Sequence, residues 1–117
     1  MRHQKKQLKL NMQRDERAAL IRNMATSVIL FEKVKTTVAR AKAVRPVVED
    51  LITKAKTKDT KEAIRQIGQI VFDEKASRKL LEVLKERYKD REGGYTRLVK
   101  MGRRVGDAAE VVQIQLV

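Results

Sequence analysis

Cysteine is absent from this sequence, which excludes disulfide bridges, thiolate metal sites and a cysteine nucleophile and leaves the redox compartment open. Histidine occurs once, as His3. No paired-histidine zinc pattern exists, and a lone histidine so near the terminus does not assemble a Ser/His/Asp relay. Aromatic side chains number four, Phe31, Phe72, Tyr88 and Tyr95, so a reader that stacks single-stranded bases on sheet aromatics has little to work with. Long apolar runs are missing as well. The longest early one, Val28 to Phe31, is too short for a signal-peptide core or a membrane span, and the expectation is an intracellular protein with no membrane partner. Gly93 and Gly94 lack the Gly-x-Gly-x-x-Gly and Gly-Lys-Ser/Thr surroundings of nucleotide loops. The adjacent carboxylates Asp73 and Glu74 read as the turn before a helix rather than as an acid–base pair. No enzyme activity, cofactor, metal or small-molecule substrate is expected.

What is present is positive charge. The chain has 117 residues, enough for one domain with a modest core, and a formal net charge of +13. A field this strong takes nucleic acid or anionic lipid as its usual partner. Its distribution is uneven. Residues 1–48 carry twelve Lys and Arg against Asp15, Glu16 and Glu32, whereas residues 49–92 set twelve against ten acids. The middle therefore reads as an ordinary salt-laced helical region, and the excess lies in the first third, with a smaller focus at 97–104.

Residues 1–14 read as a basic arm that contacts a polyanion, with Arg2, Lys5, Lys6, Lys9 and Arg14 and no acid. Residues 15–117 read as one α+β domain. Leu20, Ile21, Met24, Val28 and Phe31 follow helical spacing and predict a helix over about 15–31, capped by Asp15. Arg14, Arg17 and Arg22 fall at or near its start, off that stripe. Residues 32–37 alternate, with Lys33 and Lys35 on one face of a short strand. A second helix starts at Val38 with Thr37 as its cap, and Pro46 bends or breaks it. Ala63 to Val71 predict a third helix ending near Phe72, and Ala76 to Leu84 a fourth ending by Asp90, stopped by the glycine pair. Tyr95 to Met101 and the alternating Val112, Ile114 and Leu116 form two strands joined in a hairpin. Its tip carries Arg103 and Arg104 between Gly102 and Gly106. Arg104 has an acidic neighbour, Asp107, that can hold it locally. The predicted fold is two-layered: about four helices on one face of a small three-stranded mixed sheet.

Cations are thus presented by three elements: the arm, the strand with Lys33 and Lys35, and the hairpin with Arg97, Lys100, Arg103 and Arg104. Three separated patches suit a folded RNA, whereas a double helix needs one stripe or one inserted helix. The runner-up is a bacterial DNA-organising or regulatory protein, which would require a helix with a one-sided basic face. Tyr95 is either an RNA contact or a residue packed where the fourth helix meets the sheet.

The opening MRH, KLN at 9–11, RNMATS at 22–27, KTT at 35–37, AKAVRPVVEDLITKAK at 41–56, GGYTR at 93–97, the R-x-G-D of 104–107 and the closing IQLV resemble the bacterial large-subunit ribosomal protein of family seventeen. The motifs occur in the same order along nearly the whole chain. The resemblance implies a structural constituent of the cytoplasmic ribosome, bound to large-subunit ribosomal RNA near the exit of the peptide tunnel beside other large-subunit proteins. It also implies helices against a three-stranded sheet. Arg2, His3, Lys9, Arg22, Lys35, Arg97, Lys100 and Arg104 match positions that it makes RNA-side residues. Met12, Asp15, Glu16 and Gln115 depart from the family pattern, and the first three leave the end of the arm a weaker grip on phosphate.

Overall fold

The first helix opens on Arg14, one residue earlier than the spacing suggests. In the computed structural model, which describes residue 10 and residues 12–117, α1 spans Arg14–Phe31. Its N-cap is Gln13, without a side-chain capping bond, so Asp15 lies inside the first turn beside Glu16. Both carboxylates act there through their charge, facing the positive end of the helix dipole. Ala25, Val28 and Ile29 are fully buried, while Phe31 turns outward.

The helix ends at Glu32, which holds a left-handed φ of 65° and leads into β1 (Lys33–Thr37). A non-glycine residue there is uncommon, and its side chain is anchored from both sides. The Glu32 carboxylate accepts a fork from Arg87 at 2.5 and 2.9 Å and pairs with Lys79 at 2.9 Å. Arg87 first and Lys79 second pull its pKa down to about 2, against the opposing effect of burial.

The second helix, α2 (Val38–Thr57), is continuous through Pro46. The proline is exposed, and the carbonyl it leaves without a donor belongs to the equally exposed Lys42. Thr37 is the N-cap by position, but its hydroxyl makes no capping bond. Ala41, Val44, Val48, Leu51, Ile52 and Ala55 line the buried side, as their spacing predicts.

The third helix, α3 (Thr60–Gly68), stops short of the expected Phe72. Ile64 is exposed, and Val71 is buried from the connecting turn. Asp59 caps α3 and Asp73 the helix that follows it, by accepting from the N–H of Glu62 (2.9 Å) and of Lys75 (2.8 Å). The fourth rod begins as α4 (Glu74–Lys79), passes through a π-helical stretch, Leu80–Leu84, and ends in a final turn, α5 (Lys85–Arg87). Leu80, Leu84 and Tyr88 point into the core, and Val83 is rotated out.

The chain then turns through Gly93 and Gly94, at φ 135° and 60°, into β2 (Thr96–Arg103) and β3 (Glu110–Leu116). The sheet order is β1-β3-β2, and every neighbouring pair is antiparallel. The expectation of a mixed sheet is thereby corrected. β1 and β2 do run in the same direction, across a helical connection, but β3 inserts between them, so no parallel ladder forms. Val34, Leu98, Val112, Ile114 and Leu116 face the helices and complete one core. Each fully buried Leu or Ile contributes about 1.5–3 kcal/mol to the driving force.

Tyr95 lies in this core. Its ring packs 5.1 Å from that of Tyr88, and its hydroxyl accepts from Lys56 Nζ at 2.9 Å and donates to the carbonyl of Arg91. Thr96, also buried, donates to Glu49 Oε2 at 2.7 Å and ties β2 to α2. Of the GGYTR stretch, only Arg97 emerges on the far side of the sheet.

Candidate nucleic-acid interface

One face of the sheet is covered by helices, and the other carries a row of cations. Strand alternation puts Lys33, Lys35, Arg97, Gln113 and Gln115 on this outer face. The register sets Lys33 opposite Gln115 and Gln115 opposite Arg97, so the two cations flank one glutamine across three strands. Lys35 stands opposite Gln113 in the next row, and Gln113 donates to Gln115 along the strand at 2.8 Å. The face holds exposed positive charge at both edges, amide groups in the middle and no acid.

The far end of the hairpin divides the remaining sequence-predicted cations. A bulge between Lys100 and Gly102 places Met101 outside the ladder and reverses the alternation beyond it. Lys100 pairs with the buried Val112, and Arg103 pairs with Glu110, so both sit on the helix side of the sheet rather than with Arg97. Together with Lys42 they rim a cleft of about 470 Å³ between α2 and the hairpin. Arg104, one residue on, lines a second groove of about 480 Å³ with Lys35 and Arg40, which Leu10 also borders. Gly102 and Gly106 adopt φ of 98° and 109°, which let the backbone make this end turn.

Arg104 is held locally. It donates to both carboxylate oxygens of Asp107, at 3.1 and 2.5 Å. That bond, with a weaker one from the N–H of Ala109, lowers the Asp107 pKa to about 2, and the Asp107 carboxylate raises that of Arg104.

Two cations that the sequence reading did not single out complete this end. Arg40 and Lys42 are exposed near the start of α2, a helix with no acid in its first turn. Helix N-termini favour anions and disfavour cations. The stretch TTVARAK therefore held a readable signal, since it places basic residues where the helix itself would take acids.

Elsewhere part of the positive charge is taken up within the fold. Among the described residues, ion pairs engage Arg45, Lys54, Arg65, Arg78, Lys79 and Arg87, all on the helices, besides Arg104. Arg22 lies 5.2 Å over the ring of Phe72 and donates to the carbonyl of Ala18, so it is partly spent within the fold. Arg14 is exposed and Arg17 half-buried on α1, and neither lines the hairpin grooves. Arg2, His3, Lys5, Lys6 and Lys9 lie outside the described residues.

Fold and surface together define a class: a small basic α+β domain with cationic groups on an acid-free sheet face and along a hairpin end. A family model described as Ribosomal protein L17 matches residues 20–117. The chain is 49% identical over 109 residues to the large ribosomal subunit protein bL17 of Desulforudis audaxviator, a match that covers 93% of this chain and 96% of that protein. It is 48% identical over 117 residues to the proteins of the same name from Rickettsia bellii and Solibacter usitatus, covering all of this chain and 82% and 77% of theirs. The chain belongs to the ribosomal protein L17 family.

Proposed function

We propose that this protein is a non-enzymatic constituent of the large subunit of the cytoplasmic ribosome, where it binds ribosomal RNA and helps organise it near the exit of the peptide tunnel. The observation that carries the reading is where uncompensated charge remains. Through the helical middle, residues 49–92, ten acids stand against twelve cations, so little net charge remains there. Among the described residues, Lys33, Lys35 and Arg97 on the outer face, and Lys42, Lys100 and Arg103 at the hairpin end, make no ion pair. Left unpaired in the free protein, they are available to phosphate oxygens, which accept from Lys and Arg and fix position without reading sequence. Cations on both faces of a three-stranded sheet bring two RNA segments together by screening their mutual repulsion. Arg2, His3, Lys5, Lys6, Lys9 and Arg14 extend this contact along the arm, Arg17 and Arg22 add to it from α1, and Arg104 does so from the hairpin turn. Neighbouring large-subunit proteins meet the remaining surface.

The experiment is sedimentation of the tagged protein from cell extracts, before and after ribosomes are dissociated into subunits. Expected is comigration with intact ribosomes and then with the large subunit alone. Migration with the small subunit or at the top of the gradient overturns the proposal.

A further inference from the structure

We propose that the cleft between α2 and the hairpin seats a single unpaired nucleotide of the bound RNA, with guanosine preferred. The inference rests on the RNA-binding reading above and adds to it a place for a base.

Three features of the cleft carry it. Its volume of about 470 Å³ is in the range of small-molecule sites. Its floor is apolar, formed by Val38 of α2 and by Leu98 and Val112 of the sheet. A phosphate contact has no use for such a floor, because a regular RNA backbone offers only phosphate and sugar to it. An unstacked base brings an apolar face that gains by leaving water, and unpaired bases are what sequence-selective RNA binders take up. The rim is cationic, with Lys42, Lys100 and Arg103 placed for the phosphates on either side of the base.

The third feature is Glu110, the one acid on the rim. It stands directly opposite Arg103 in the ladder, yet among the described residues no ion pair joins them. A carboxylate in a polyanion site repels its ligand unless it accepts hydrogen bonds from it. Guanine offers N1–H and its 2-amino group side by side, matching the two oxygens of one carboxylate. Cytosine and adenine offer a single amino group, and uracil a single N3–H. Glu110 thus supplies selectivity, while the three cations supply affinity.

The test uses the full chain and 5′-labelled hexaribonucleotides followed by fluorescence anisotropy at low salt: UUGUUU, UUCUUU, UUUUUU, and UUIUUU with inosine, which lacks the 2-amino group. UUGUUU is expected to bind about five- to tenfold tighter than UUUUUU, below the value of a buried charge-assisted pair because the cleft is open. Inosine should fall between them. Glu110→Gln should erase most of this preference without weakening UUUUUU, and Lys42→Ala with Lys100→Ala should weaken all four by a common factor. Titration with UUGUUU should move the methyl resonances of Val38, Leu98 and Val112. Equal affinities in the unaltered protein, or a preference that survives Glu110→Gln, overturns the proposal. Binding to large-subunit RNA fragments with none to any hexamer removes the nucleotide seat and leaves the RNA-binding reading standing. Binding to neither removes both.

Discussion

If the outer sheet face meets RNA, its cations should be visible in the salt dependence of binding. The perturbation is Lys33→Ala, Lys35→Ala and Arg97→Ala together. All three side chains are exposed and make no ion pair among the described residues, so each substitution should change stability by no more than about 0.5 kcal/mol. Lys33 and Arg97 lie two strand spacings apart, about 10 Å at the backbone, and Lys33 and Lys35 two residues apart, about 7 Å. At these separations each cation serves its own phosphate. Losing three contacts should flatten the slope of log K against log salt by roughly 2 to 2.7, from about 0.7–0.9 per phosphate. Across a fourfold rise in salt, from about 50 to 200 mM, the penalty of the triple variant should shrink by roughly 20- to 40-fold. The assay is anisotropy with a labelled fragment of large-subunit RNA at five or six salt concentrations. Lys58→Ala, Lys61→Ala and Lys75→Ala form the control, since these are also exposed and outside every ion pair of the described residues. Both variants lose three charges, so the long-range field falls equally. Equal changes of slope would refute the reasoning and reduce the outer face to one contributor to net charge.

At the hairpin, Arg103→Ala should cost more RNA affinity than Arg104→Ala, because Arg104 is already bound to Asp107 in the free protein. Asp107→Asn should strengthen binding, and a weaker complex from that variant would show that the pair is needed intact. Removing residues 1–9 should leave the melting temperature unchanged, with the half-buried Leu10 retained, while incorporation into large subunits falls; a much earlier melt would make the arm part of the core. Glu32→Gln should destabilise the protein by about 1 kcal/mol at neutral pH, a value discounted because the pair is a third exposed. The folded carboxyl is held at about 2, below its ordinary 4.5, so its contribution is full above about 4.5 and is lost as pH falls toward 2. Denaturant melts at several pH values check this, and a difference from the unaltered protein that stays constant down to pH 2 would rule it out.

Elements governed by near neighbours were readable from the chain. The α2 stripe from Ala41 to Ala55 followed its 3.6-residue period, and Gly102 and Gly106 announced their positive φ. The Gly93–Gly94 pair marked the return of the chain to the sheet. Features that depend on distant pairing were not readable. Local alternation does not say that β3 enters between β1 and β2, and this insertion alone brings Gln115 between Lys33 and Arg97. Unbroken alternation would set Arg103 on the same face as Arg97, and the bulge at Met101, which nothing local announces, moves it to the helix side. Arg22 read as a free cation because Phe72, which it covers, lies fifty residues on. The anchoring of Glu32 likewise depends on Lys79 and Arg87, which arrive from the last helical rod.

The arrangement of charge has a cost that bears on what the surface is for. Lys42, Lys100 and Arg103 share one cleft with a single acid, Glu110, while Arg40 shares a groove with Lys35 and faces the positive end of its own helix dipole. Like charges so gathered repel, and a cation near a helix N-terminus forfeits about 0.3–1 kcal/mol that an acid there would gain. The same chain relieves such strain elsewhere, spacing acids three or four residues from Arg45, Lys54, Arg65 and Arg78. It even does so at the hairpin, for Arg104 alone. A surface under selection only for solubility would gain from one more glutamate among residues 38–42, and such a glutamate would remove the repulsion. Its absence leaves the free protein less stable than its fold allows and leaves an anion-shaped vacancy in the electrostatics. Phosphate entering that vacancy relieves the repulsion and satisfies the helix dipole in one step. On the RNA-binding reading, part of the binding energy is therefore stored in the free protein as unrelieved charge, and the crowding of like charges locates the candidate interface more sharply than the total of +13 does.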